Sequence, residues 1–217
     1  MKLIRLGIIV ALISTFAITI VMFPVMPDVV VSHWNAAGQA NGHMSKVWGL
    51  FLIPLIMVGC VALFGILPRI DPLGKNYEQF RDYYEGFILV FVTFMFAIQA
   101  QIMLWGIGIQ ISPNHTFPVL LGILFIYLGF LIEHTEPNWF VGIRTPWTLS
   151  STTVWNKTRE RGGKLFKLAG IVSVVGIVFQ TYAIWFILIP VFAVAIYTVV
   201  YSYFLYKNEQ TTVIKPV

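Results

Sequence analysis

The side chains that could do chemistry are few, and most lie in two loops. His33 and His43, with Asp28 ahead of them, could offer nitrogen and oxygen to a metal ion. Two histidines without a fixed third ligand fall short of a zinc set, which takes three or four. No metal and no cofactor is therefore expected. Glu133, His134 and Glu136 are near one another in the chain, but they stand where an apolar run ends in water, with no nucleophile-base pair or metal cluster beside them. The chain is not expected to be an enzyme. Cys60 is the single cysteine and lies inside an apolar run, which excludes a disulfide framework and suits packing. Gln99 and Gln101, near the middle of a third apolar run, and Ser14, Thr15 and Thr19 in the first are the polar groups at mid-span. Such groups commonly hydrogen-bond between packed helices, for about 0.6 kcal/mol each. None of the nine Asp and Glu lies in a span centre, which disfavours an ion carrier or proton pump. A small transporter or channel for a peptide or apolar solute would need no buried charge and is the alternative function.

The elements that must position these residues are set by composition. The 217 residues are 58% hydrophobic and 11% charged, with a mean hydropathy of +0.83, far from a soluble domain. The surrounding solvent is membrane lipid. Apolar stretches run from Leu6 to Phe23, Val47 to Leu67, Phe87 to Ile111, Phe117 to Ile132 and Leu168 to Tyr206. As one helix the last would be roughly 60 Å long, about twice a hydrocarbon core of ~30 Å. It should fold back near Gln180-Thr181-Tyr182, giving a fifth span from about Lys164 and a sixth from about Ala183. The first stretch is too long for a signal-peptide core and lacks a small-residue cleavage site after it, so it reads as an uncleaved first span.

Net charge is +5, yet the basic residues sit in short loops and do not imply direct nucleic-acid binding. In a six-span arrangement Lys2, Arg5, Arg69, Lys75, Arg81, Arg144, Lys157, Arg159, Arg161, Lys164, Lys167, Lys207 and Lys215 share one side, and Lys46 alone takes the other. The positive-inside rule then puts both termini in the cytoplasm. The expected fold is an all-α integral membrane protein, a six-transmembrane-helix bundle in the cell membrane. Residues 1–67 form a two-helix module with an ordered outer loop at 24–46, and 68–116 a cytoplasmic loop and third helix. Residues 117–206 form a second module with a cytoplasmic loop at 133–164, and 207–217 a cytoplasmic tail.

Two loops carry the functional signal. In the outer one, Pro27-Asp28 breaks the first helix, and Asn35, Gly38, Asn41 and Gly42 supply turn chemistry for a compact loop. Trp34 reads either as an aromatic anchor at headgroup depth or as a stacking surface for a ligand. The cytoplasmic loop contains Asn138-Trp139-Phe140-Val141-Gly142-Ile143-Arg144-Thr145-Pro146-Trp147-Thr148-Leu149. A short helix is expected after it, capped by Ser150 or Ser151 and ended by Gly162-Gly163. With Trp139, Trp147 and Trp155 favouring the headgroup region, that helix would lie along the inner leaflet and offer its basic face to anionic lipid or to a protein.

This cytoplasmic run, with Val154-Trp155 and Gly162-Gly163 beyond it, resembles the signature of the SdpI family of bacterial immunity proteins. Pro27-Asp28, His33-Trp34-Asn35, Gly38 and Ser45-Lys46 resemble the N-terminal module of unknown function that accompanies the signature in longer family members. The resemblance implies a membrane protein that protects a cell against a secreted peptide toxin. In the best-known member, toxin binding also leads to capture of a cytoplasmic transcriptional repressor. The matching cytoplasmic residues would be Asn138, Phe140, Gly142, Arg144, Thr145, Pro146 and Trp147. Asp28, His33, Trp34, Asn35 and Gly38 would meet the ligand outside. Gly142 and Pro146 suit a tight backbone, and Arg144 offers a rigid fork to carboxylate, phosphate or carbonyl groups. Capping helix ends or holding lipid phosphate is the other reading of Arg144.

Overall fold

The computed structural model describes residues 2–213; Met1, Lys215 and the last residues of the expected tail lie outside the described residues. The chain is a multi-pass membrane protein. Five helical segments are long and apolar enough to cross a membrane, and large hydrophobic side chains along them face outward, as lipid requires.

Three long helices make the first half: α1 (Lys2–Met22), α2 (Lys46–Ile70) and α3 (Arg81–Gly106). Arg5 meets Glu85 near the start of α1 and α3, and Thr19 meets Gln99 farther along both, so these two helices run parallel. α2 runs against them, with Thr15 touching Met57 and Tyr84 donating to the Phe64 carbonyl. Gln99 joins all three helices: its amide donates to Thr19 at 3.1 Å and to the Leu50 carbonyl at 2.8 Å. With no exposed surface, it hydrogen-bonds between helices through its amide nitrogen. Ile8, Met57, Tyr84, Ile88, Val92 and Met95 fill the core between these helices.

The chain is an all-α membrane protein in its spans, and the loop expected at 24–46 adds a short β-hairpin. β1 (Val29–Trp34) pairs antiparallel with β2 (Ala40–Ser45), and the register shifts on either side of His33. The physical reason is the Val29-Val30-Val31 run, which favours a strand. Val30 is buried in a notch left by Gly49 on α2, which seats the hairpin on the bundle.

The second half contains α4 (Pro113–His134), the single-turn α5 (Pro146–Ser150), α6 (Thr152–Val175) and α7 (Ala183–Val213). Ser112 caps α4, and Pro113 occupies its first turn, where a missing N–H costs nothing. The chain reverses through 3-10 turns at Gly176–Val178 and Gln180–Tyr182, where the sequence placed the fold-back. α7 extends about 46 Å at 1.5 Å per residue, so much of the expected tail after Lys207 continues the helix.

The expected short helix ending at Gly162-Gly163 needs correcting. α6 passes through both glycines without interruption, and neither has the positive φ of a helix C-cap. They serve close packing. An added Cβ at Gly129 would lie 2.6 Å from the Gly163 carbonyl oxygen, and one at Gly170 would lie 2.5 Å from that of Gly122. α4 and α6 thus run antiparallel, almost backbone to backbone. α6 therefore does not lie alone along a leaflet: it shares the depth of α4 along its C-terminal half.

Candidate functional site: a signature-loop knot and a hairpin

The loop after α4 is tied by one side chain. Asn138 is fully buried; its Oδ1 accepts from the backbone N–H of Phe140 at 2.9 Å and of Val141 at 2.6 Å. Its Nδ2 donates to the carbonyls of Glu136 and Val141, both at 2.8 Å. Asparagine is favoured here because its short amide copies a backbone turn. Gly142 follows at φ 109, a left-handed value, and faces Thr135 and the Trp155 ring. Thr145 then caps α5 reciprocally with Thr148, whose hydroxyl also donates to the Ile143 carbonyl at 2.9 Å. Thr145 reaches Ser202 of α7 at 3.0 Å, and Trp147 packs edge-on against Tyr203. Ser151, one of the two candidate caps, caps α6.

The start of α6 closes the knot from below. Trp155 is buried and donates its indole N–H to the Thr135 carbonyl at 3.0 Å, so it is no headgroup anchor. Arg159 donates to the same carbonyl at 2.5 Å and pairs with Glu136 at 2.8 Å. One turn on, Lys164 donates to Glu160 at 2.6 Å and holds that carboxyl below its ordinary range. Arg144 is exposed and spends one N–H on the Trp139 carbonyl at 2.5 Å, leaving the rest of its fork free. Trp139 and Phe140 are exposed beside it. Of the seven signature residues, Asn138, Gly142, Thr145 and Pro146 build the loop, and Trp147 fastens it to α7. Phe140 and Arg144 are presented outward.

Sequence reasoning missed what lies across the gap. Asp71 ends α2 and is buried; its Oδ2 accepts from the Trp139 N–H at 2.9 Å. Asn76 donates to the Pro137 carbonyl at 2.7 Å, and Tyr77 points its hydroxyl at Asn138. The available signal was an aspartate before a proline at the end of an apolar run, a turn former with one carboxylate oxygen to spare. The Glu133-His134-Glu136 group does not converge. Glu133 turns to Lys167 at 2.7 Å, His134 stacks on Tyr83, and Glu136 goes to Arg159.

At the opposite end the hairpin tip is built around Asn35, whose Oδ1 accepts from the N–H groups of Ala37 and Gln39, both at 3.0 Å. Gly38, at φ 76, stands close to Ser112 before α4: a Cβ added to it would lie 2.6 Å from the Ser112 Oγ. Asn114 donates to the carbonyls of Ala36 and Gln180, joining the hairpin, α4 and the turn before α7. Trp34 packs edge-on against Trp105 and Phe117, which makes it a wedge between the halves. His33 is exposed and bonded to Asn41 at 2.6 Å, and Asp28 lies 3.6 Å from Lys46. Among the described residues no three His, Cys, Asp or Glu side chains gather as a metal would require. Asp28 and His33 are thus open to solvent, while Trp34, Asn35 and Gly38 shape the hairpin.

Comparison with known proteins follows this two-ended layout. Residues 134–202 match the SdpI/YfhL protein family, and residues 10–58 match a domain of unknown function, DUF1648. The immunity protein SdpI of Bacillus subtilis (strain 168) is 24% identical over 195 residues, covering 89% of this chain and 91% of the relative. No solved structure matches the chain. The DUF1648 match holds the hairpin and its supporting helices, the SdpI/YfhL match holds the knot, and one relative is similar to the chain collinearly through both.

Proposed function

We propose that this chain is an immunity protein of the cell membrane that protects its host against a secreted peptide toxin. The observation that carries the reading is the collinear likeness to an immunity protein along nearly the whole of both chains, through both loop-bearing regions. The toxin meets the outer hairpin, where Asp28 and His33 are open to solvent and Asn114 links the tip to α4 and α7. The knot is the receiving end for a cytoplasmic repressor, which docks on Trp139, Phe140 and Arg144. The protein works by binding and not by catalysis.

The same proposal includes six crossings with both termini in the cytoplasm. α6 lies lengthwise on α4, a helix of spanning length, which supports counting its apolar half with the turn at Gly176–Val178 as the fifth crossing. The distribution of basic residues supports the orientation. The transporter alternative is not favoured, because Gln99 is spent on helix packing. The decisive test is survival. A toxin-sensitive host producing this chain should outgrow an empty-vector control when challenged with the peptide toxin of a related system, and equal killing at verified membrane levels would refute the immunity role.

A further inference from the structure

A crevice of about 490 Å³ opens at the end of the bundle that holds the start of α1, the end of α2 and the start of α3, within the roughly 300–1,000 Å³ range of small-molecule sites. Its interior is apolar, with Ile8, Val61, Phe64 and Ile88 among its walls, and its rim carries Arg5, Arg69 and Arg81. We infer that this crevice holds one anionic phospholipid, with the headgroup phosphate among the three guanidinium groups and an acyl chain in the apolar interior. The inference rests on the membrane-embedded fold alone and is independent of the immunity reading.

Three observations lead there. First, the rim has guanidinium capacity to spare. Glu85 binds Arg5 through its Nε and Nη2 and Arg81 through Nε alone, and both arginine side chains stay about half exposed, at 50% and 48%. Arg69 and Glu78 make no ion pair or side-chain hydrogen bond among the described residues, so three positive groups face two carboxylates. A planar guanidinium fork matches phosphate oxygens. Second, the depth is right. α2 has 25 residues, about 37 Å of helix against a hydrocarbon core of ~30 Å, so Arg69 in its last turn stands at headgroup level. Third, the wall is open where a chain would enter. Gly65, one turn inward from Arg69, has nothing within 4 Å of a Cβ built on it. Glycine inside a helix is less favourable than alanine, and no contact among the described residues accounts for it here. Ile9 on α1 is exposed across the gap, so the mouth opens sideways between α1 and α2. A free anion would use the rim alone and a neutral apolar molecule the interior alone; an anionic lipid uses both.

The test is native mass spectrometry of the full chain in detergent, titrated with dioleoyl phosphatidylglycerol, dioleoyl phosphatidylcholine or inorganic phosphate. Wild type should retain one phosphatidylglycerol, several-fold more tightly than phosphatidylcholine, and phosphate should not compete at millimolar concentration. Arg69→Gln should weaken phosphatidylglycerol roughly tenfold and abolish the preference. Gly65→Leu, which fits the open wall, should displace both lipids while leaving the melting temperature of the delipidated protein at or above wild type. Lys157→Gln removes an equal charge from the same end and should change nothing. Equal retention of the two lipids, unchanged binding in Gly65→Leu, displacement by phosphate, or an equal loss in Lys157→Gln would each overturn the assignment.

Discussion

The carboxylate of Asp71 accepts the backbone N–H of Trp139 at 2.9 Å, across 68 positions of sequence. Its other oxygen accepts the Leu73 N–H at 2.8 Å and turns the chain out of α2. One buried side chain therefore ends a helix of the first half and fixes the signature loop of the second. Asn76 and Tyr77 reinforce the contact from the same segment. At the hairpin end, Gly38, Asn114 and Trp34 make the corresponding join. The two halves are thus tied at both ends of the bundle.

Asp71→Ala should lower stability by about 1–3 kcal/mol, the cost of leaving buried N–H groups without their charged acceptor. Asp71→Asn, which keeps one carbonyl oxygen, should lose less. The measurement is thermal melting in detergent together with protease cleavage after Trp139 and Phe140. An alanine variant that melts with wild type and resists cleavage equally would refute the link.

Gly170→Leu should be severe, because the new side chain would enter the α4 backbone at Gly122; overpacking costs roughly 1–3 kcal/mol and can exceed this against backbone. Gly59→Ala meets nothing within 4 Å and should be neutral or slightly stabilising. Membrane-fraction yield and melting temperature read both. Equal behaviour of the two variants would dismiss the close α4–α6 packing.

Much of this was legible in the sequence. Apolar run lengths located the five helical segments long and apolar enough to cross a membrane, and the polar Gln180-Thr181-Tyr182 break located the last reversal within a residue. The glycine pair at 162–163 misled, because a glycine that stops a helix and one that admits a neighbouring backbone are identical in one dimension. The hairpin was hidden by β2, where Asn41 and Gly42 read as turn formers. In the knot, the signature pointed to Asn138 and Arg144, but the acceptor for the Trp139 N–H came from 68 residues upstream, a tertiary pairing with no local pattern. Gln99 was identified correctly as polar glue, since a lone amide at mid-span must find partners on neighbouring helices.

The six-crossing arrangement predicts the labelling of single cysteines in a Cys60→Ser background. Gln39→Cys on the hairpin tip should react in intact cells with a maleimide that cannot cross the membrane. Asn208→Cys near the end of α7 should react only after the cells are opened. Label at both positions in intact cells, or the reverse pattern, would sink the topology.

Arg144 separates a shaping role from a recognition role. Its one hydrogen bond among the described residues goes to the Trp139 carbonyl, and that bond needs only a single N–H, which a lysine ammonium can also supply. Were this contact its whole purpose, Arg144→Lys would behave as wild type. The remaining donors of the fork point away from the knot beside exposed Trp139 and Phe140, and an ammonium cannot reproduce their planar geometry. Both Arg144→Lys and Arg144→Ala are therefore expected to reach the membrane at normal levels, melt within about 1 kcal/mol of wild type as exposed substitutions do, and give reduced protection against the toxin. The assay is survival of a sensitive host, with immunoblots of the membrane fraction taken from the same cultures. Full protection by the lysine variant alone would assign Arg144 to holding the Trp139 carbonyl, and full protection by both would remove it from function.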